Sequence, residues 1–137
     1  MTAGIAGGGA VYGPLRWQAR VNYAHNSARL SGDGYDQLSA DIGMPFDFRV
    51  PVFGGVRYWT LTPAVGFTQT NYTSPNQIID PLLKRQDNER RVLLTLDAPL
   101  SASFGFSVQA SYVRVNSNIP NYDTRNLTIL GGPTARF

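Results

Sequence analysis

The chain has 137 residues, 15% of them charged, with a formal net charge of +3 and no cysteine; one domain, residues 1–137, accommodates that length. Without cysteine there is no disulfide framework, thiolate metal site or cysteine nucleophile, and without an apolar run of about 18–20 residues there is no membrane-crossing helix. The 12 basic residues are scattered along the sequence and build no dense basic stripe, so nucleic acid is not an expected partner despite a pI near 9.5.

Apolar residues recur with a period of two, the mark of strands whose side chains alternate between faces. Residues 3–12 predict a weak first strand, because Gly7-Gly8-Gly9 supplies no side chains to read, and Gly13-Pro14 is a tight turn. Leu15, Trp17, Ala19, Val21 and Tyr23 then oppose Arg16, Gln18, Arg20 and Asn22. After a loop at 27–34, Leu38, Ala40, Ile42, Met44 and Phe46 oppose Gln37, Ser39, Asp41 and Gly43. Asp47 to Gly55 reads as a turn of intermediate length, in which Phe48, Val50, Val52 and Phe53 have the spacing of a short extra extended stretch.

Trp59, Leu61, Pro63, Val65 and Phe67 oppose Tyr58, Thr60, Thr62, Ala64, Gly66 and Thr68. A long loop, Thr73 to Asn88, leads to Val92, Leu94, Leu96 and Ala98 against Arg91, Thr95 and Asp97. Past the short connection at 99–103, Phe104, Phe106, Val108, Ala110 and Tyr112 oppose Ser103, Gly105, Ser107, Gln109 and Ser111. A further loop, Asn116 to Thr124, precedes Leu127, Ile129, Pro133, Ala135 and Phe137, which oppose Asn126, Thr128, Thr134 and Arg136. Long and short connections alternate, as in transmembrane barrels with short periplasmic turns and longer outer loops.

The polar faces are small and neutral, rich in Ser, Thr, Gly, Asn and Gln. Aromatic residues bracket the apolar faces, with Trp17, Trp59, Phe46, Phe104 and Phe137 toward the short turns and Tyr23, Phe67 and Tyr112 toward the long loops. Such girdles suit two membrane interfaces, and strands of about ten residues suit a tilted crossing. The expected fold is all-β, an antiparallel up-and-down transmembrane β-barrel with seven or eight strands in this chain, rather than a soluble sandwich. Trp17, Val21, Trp59, Val65, Leu94, Leu96, Phe106, Val108, Ile129 and Phe137 are then expected to point away from its interior.

A strand that closes on Phe137 after alternating apolar residues resembles the assembly signal of bacterial outer-membrane barrels. That resemblance implies an outer-membrane location, lipid neighbours and the barrel-assembly machinery as a partner through the Phe137 strand. Ser117-Asn-Ile-Pro-Asn-Tyr-Asp-Thr-Arg-Asn126 followed by Leu-Thr-Ile-Leu is similar to the last hairpin of β-barrel porin families. Barrels attached to periplasmic tetratricopeptide repeats, such as the surface lipoprotein assembly modifiers, are similar there too, with a Ser-Asn element, a Tyr-Asp pair and an Arg-Asn before the final strand. The resemblance covers residues 87–137, and the upstream part only by pattern.

The first ten residues lack the basic and apolar regions of a secretory leader, so a removed leader or a C-terminal fragment of a larger barrel is expected. Seven strands put the two ends on opposite sides, whereas single-chain bacterial barrels are even-stranded. Strands in another segment or another chain are therefore expected to complete the wall, unless an eighth strand hides in 47–55 or at the N-terminus.

No Gly-x-Ser-x-Gly, paired His, Walker loop or metal-spaced cluster is present, so neither enzyme activity nor a metal or cofactor is expected. His25 and the carboxylates Asp33, Asp36, Asp80, Asp87, Glu89 and Asp123 read as solvated outer-loop groups. The charges with a mechanism attached are Arg16, Arg20, Asp41, Arg91, Asp97 and Arg136, all on the polar face. They either lock strands through pairs with Asp41 and Asp97 or bias a pore toward anions. The two functions in view are a porin-like channel or conduit and anchor of an envelope export system, and a structural subunit of a larger envelope assembly.

Overall fold

The computed structural model describes residues 1–27, 34–52, 55–75 and 81–135. Eight antiparallel strands form one sheet: β1 (Thr2–Tyr12), β2 (Leu15–Asn26), β3 (Tyr35–Gly43), β4 (Phe46–Val52), β5 (Gly55–Tyr72), β6 (Gln86–Pro99), β7 (Phe104–Ser117) and β8 (Thr124–Ala135). Among the described residues the helical content is one 3-10 turn, Pro120–Tyr122. Neighbours follow chain order, β1-β2-β3-β5-β6-β7-β8, with β4 paired to β5 and touching β2.

Strand β4 replaces the turn expected at 47–55 with the alternative, the short extended stretch through Phe48, Val50 and Val52, and it takes no new position across the sheet. Gly43 faces Ala64 and Phe46 faces Leu61, so β3 and β4 keep one register along β5. Two prolines cause the interruption. Pro45 accepts from the Arg16 amide (2.9 Å) but has no N–H to return, and Pro63 accepts from the Met44 amide (2.9 Å) with the same deficit. The eight strands thus occupy seven lateral positions, and β1 and β8 run parallel to each other at opposite ends of the described sheet.

Strands β5 and β6 are longer than the alternation predicts. Apolar alternation stops at Phe67 and Val92, yet the ladder continues through Thr68–Glu89 and Thr70–Asp87 to Asn71–Gln86. Backbone hydrogen bonds propagate without apolar side chains as long as a partner strand is present. At the other end the glycine run has a steric reason. Gly9 faces Trp17, whose indole lies over Gly7 and Gly9, where added Cβ atoms would stand 3.7 Å and 3.2 Å from the ring. The Gly13-Pro14 turn forms as expected, with Gly13 at φ 54°.

The sheet is inverted relative to a soluble domain. Val65 and Val92 are 53% and 54% exposed, while Thr68 and Thr70 behind them are each 9% exposed. Ala98 and Ile119 are the buried apolar residues among those described, and no large side chain is fully buried. Of the ten residues expected to point outward, Trp17, Val21, Val65, Leu94, Phe106 and Ile129 are exposed. Trp59, Leu96 and Val108 are half-buried, and Phe137 lies outside the described residues. Trp59 is covered because β4 continues past it and sets Phe48 against its ring edge at 6.3 Å.

The exposed apolar residues form a slanted band. Ala19, Ile42, Val65, Val92, Tyr112 and Leu127 make one cross-strand row. From that row the band extends to Tyr23 and Leu15 on β2, but from Tyr112 only downward to Phe104 on β7. Both borders therefore shift by four residues between β2 and β7. That is about 13 Å along the strands over about 19 Å across them, a slant of about 35°.

Candidate functional site

The polar face carries three groups of charges. At its centre the row Arg20, Asp41, Gly66 and Arg91 crosses four strands. Arg91 Nη2 reaches Asp41 Oδ1 at 2.8 Å across the intervening strand, and Nη1 holds Glu89 at 3.0 Å. Gly66 makes this reach possible. A Cβ there would collide with the Asp41 carboxylate and stand 3.1 Å from Arg91 Nη2. Arg20 borders the same space and has no ion pair among the described residues. The cavity over this row, about 630 Å³, is lined from Ala6 on β1 to Leu93 on β6, so the sheet curves toward its polar face.

Near the short turns, Arg16 pairs with Asp47 (2.8 Å), which also accepts from the Thr60 hydroxyl (2.7 Å). Asp97 accepts from Ser107 at 2.8 Å rather than from an arginine, so the expected locking pair at Asp97 is replaced by a hydroxyl on the adjacent strand. Arg136 lies outside the described residues, as does Phe137.

At the long-loop end the polar face closes into a cluster. Arg85 lies between the rings of Tyr72 (4.6 Å) and Tyr122 (3.5 Å) and donates through Nε to Asp87 (2.9 Å). Burial opposes the Arg85 charge, but Asp87 with the two tyrosines outweighs it and holds the guanidinium pKa above its ordinary value. A cavity of about 310 Å³ beside it is lined by Gln37, Thr68, Thr70 and Glu89. Asn118 ties this end together, accepting from the Gln86 amide and donating to the Lys84 carbonyl, each at 2.8 Å. Asp123 accepts from the Ser117 amide at 2.6 Å. The Ser-Asn and Tyr-Asp elements of this loop thus fasten it to the segment before β6.

These placements correct the reading of Asp87 and Glu89 as solvated loop carboxylates, while Asp36 and Asp123 keep exposed positions. Asp87 is 7% exposed and ion-paired, and Glu89 sits in β6 beside Arg91, because the strands run further than the apolar pattern. His25 Nδ1 meets Asp36 at 2.8 Å, and Tyr23 donates to the same oxygen at 2.6 Å. His25 and Asp36 stand directly opposite each other in the β2–β3 register. Asp33 and Asp80 lie outside the described residues. Among the described residues no group of three acidic, His or Cys side chains is placed to hold a metal.

On the apolar face Trp17 and Phe104 are exposed toward the short turns, and Tyr23, Phe67 and Tyr112 toward the long loops. Sequence reasoning missed Asp47 as the partner of Arg16, Arg85 as the half-buried counter-charge of Asp87, and Gly66 as a gap. The Glu89-x-Arg91 spacing, two residues on one face, was the available signal for the central network. No protein family, curated protein or solved structure matches this chain.

Proposed function

We propose that the chain is part of the wall of a bacterial outer-membrane β-barrel, with lipid on its apolar face and water on its polar face, acting as a porin-like channel or conduit. The observation that carries this reading is the slanted apolar band. A slant of about 35° agrees with the 35–45° strand tilt of such barrels. Nine residues along β2 or β7 give about 26 Å, or roughly 22 Å upright after tilting, close to the ~25 Å apolar belt. The resemblance of residues 87–137 to the last hairpin of outer-membrane porins agrees. Because β1 and β8 are parallel, an antiparallel closure takes an odd number of further strands from another segment or chain.

The absence of cysteine makes the test direct. Single substitutions Val65→Cys, Val92→Cys and Leu127→Cys, labelled with a fluorophore in phosphatidylcholine vesicles, are expected to be quenched by lipid-borne quenchers. Gln18→Cys and Ser39→Cys, on the polar face, are expected to react with a water-soluble thiol reagent instead. Equal reactivity of both faces toward the water-soluble reagent removes the wall reading.

A purely structural wall is the second reading, favoured by the pairing of Arg16 and Arg91 with carboxylates. Arg20 separates the two. As the cation of the central row without an ion pair among the described residues, it is expected to set an anion preference in bilayer conductance. Arg20→Glu is expected to weaken or invert that preference; a conductance indifferent to this reversal assigns the structural role.

A further inference from the structure

The register produces a basic cluster that the linear sequence conceals. Arg90 on β6 faces Arg114 on β7, and Arg114 faces Arg125 on β8. All three are exposed and belong to the apolar face, one step beyond Val92, Tyr112 and Leu127, where the apolar band ends. Phe67 continues the same row on β5. Directly opposed side chains on neighbouring strands lie about 5 Å apart, and like charges in that relation are destabilising. Nothing beside them compensates. Among the described residues none of the three has an ion pair, Glu89 and Asp87 lie on the other face, and Asp123 is turned to the Ser117 amide. Arg114 donates through Nε to Asn116 Oδ1 (3.0 Å), a neutral partner that leaves its charge uncompensated.

We propose that Arg90, Arg114 and Arg125 form a docking surface for the phosphate groups of lipid headgroups in the leaflet on the long-loop side. This rests on the wall reading above. A single arginine at the end of an apolar belt is explained by its stem lying on lipid while its head reaches water. Three directly abreast are not, because snorkelling needs no such register and suffers its repulsion. Guanidinium groups bind phosphate through paired N–H donors, and a dianionic or twin phosphate bridging them removes the repulsion. Asn88 and Asn116, one row further out, add amide donors and acceptors at headgroup height.

The test uses the full chain folded in zwitterionic micelles. The probes are a diphosphorylated glycolipid, the same lipid with both phosphates removed, and inorganic phosphate. The diphosphorylated lipid is expected to co-purify, and Arg90→Gln/Arg114→Gln/Arg125→Gln to bind it about tenfold more weakly or worse. Arg49→Gln, at the opposite end of the sheet, is expected to leave binding unchanged. The single variant Arg114→Gln serves the same comparison if the triple variant does not fold, with a smaller loss in the same direction. Equal binding of the dephosphorylated lipid, equal binding by the glutamine variant, or full competition by inorganic phosphate at the lipid's concentration each overturns the proposal. The cysteine labelling separates the two levels: a failed labelling pattern removes both readings, whereas a correct one with no phosphate preference removes this one alone.

Discussion

Arg85→Ala is expected to lower the unfolding free energy by about 3–5 kcal/mol, the largest effect of any single substitution considered for this chain. The reason is the group left behind. Asp87 is 7% exposed and depends on Arg85 for its counter-charge, and neither Tyr72 nor Tyr122 supplies a cation once the guanidinium is gone. A buried carboxylate without a partner carries its desolvation penalty unopposed. Arg16→Ala provides the contrast. The Arg16–Asp47 side chains are 49% and 28% exposed, so water screens the pair, and losing it is expected to cost below about 1 kcal/mol. Urea titrations of the folded chain compare the two. The double variant Arg85→Met/Asp87→Leu, which removes both charges, is expected to recover most of the loss. If Arg85→Ala costs no more than Arg16→Ala, the rim cluster is not a buried ion pair in solution.

Gly66→Leu is expected to cost about 1–3 kcal/mol by overpacking and to separate Arg91 from Asp41. The side chain would occupy the gap through which the two meet, where even a Cβ collides with the carboxylate. The separation has its own readout. Arg91→Gln alone is expected to destabilise the native chain, but to add little in the Gly66→Leu background, because the interaction it removes is already broken. A double-mutant cycle measures this coupling. Full additivity of the two substitutions refutes the role assigned to Gly66.

The sequence made the middle of the sheet legible and left its ends obscure. Phe104 to Tyr112 alternate without a break, and their strand is found where the alternation places it, because a sheet solvated on one face imposes period two on the side chains. The same logic fails at Gln69 to Tyr72 and Gln86 to Arg90, where both faces are polar and pairing is fixed by the facing strand alone. Residues 48–52 stayed open between a turn and a short extended stretch for a different reason. Alternation within so short a segment does not say that it continues β3, because that continuity lies in the shared register along β5.

The candidate sites divide along the same line. Arg20, Asp41 and Arg91 were legible as polar-face residues from parity within their own strands. That Arg91 selects Asp41 across Gly66, and that Arg90, Arg114 and Arg125 stand abreast, depends on the offset between strands far apart in sequence. Scattered arginines become a cluster only once that offset is known.

The continuity of β3 and β4 along β5 bears on the thickness of the structure. Lateral pairing ends at Leu15–Phe46 on one side and Thr60–Asp97 on the other, so the paired segments Phe48–Val52 and Gly55–Trp59 extend about 17 Å past both neighbours as a two-stranded ribbon. Freed of flanking strands, such a ribbon coils more tightly than a sheet. Its face therefore rotates out of line with Leu61 and Val65, in keeping with the half-buried Phe48 and Val50 and the exposed Val56 and Tyr58. The longest strand of the chain consequently does not set the height of the curved surface. Its shorter neighbours do, and beyond their ends the ribbon carries its own pattern of exposed and half-buried side chains.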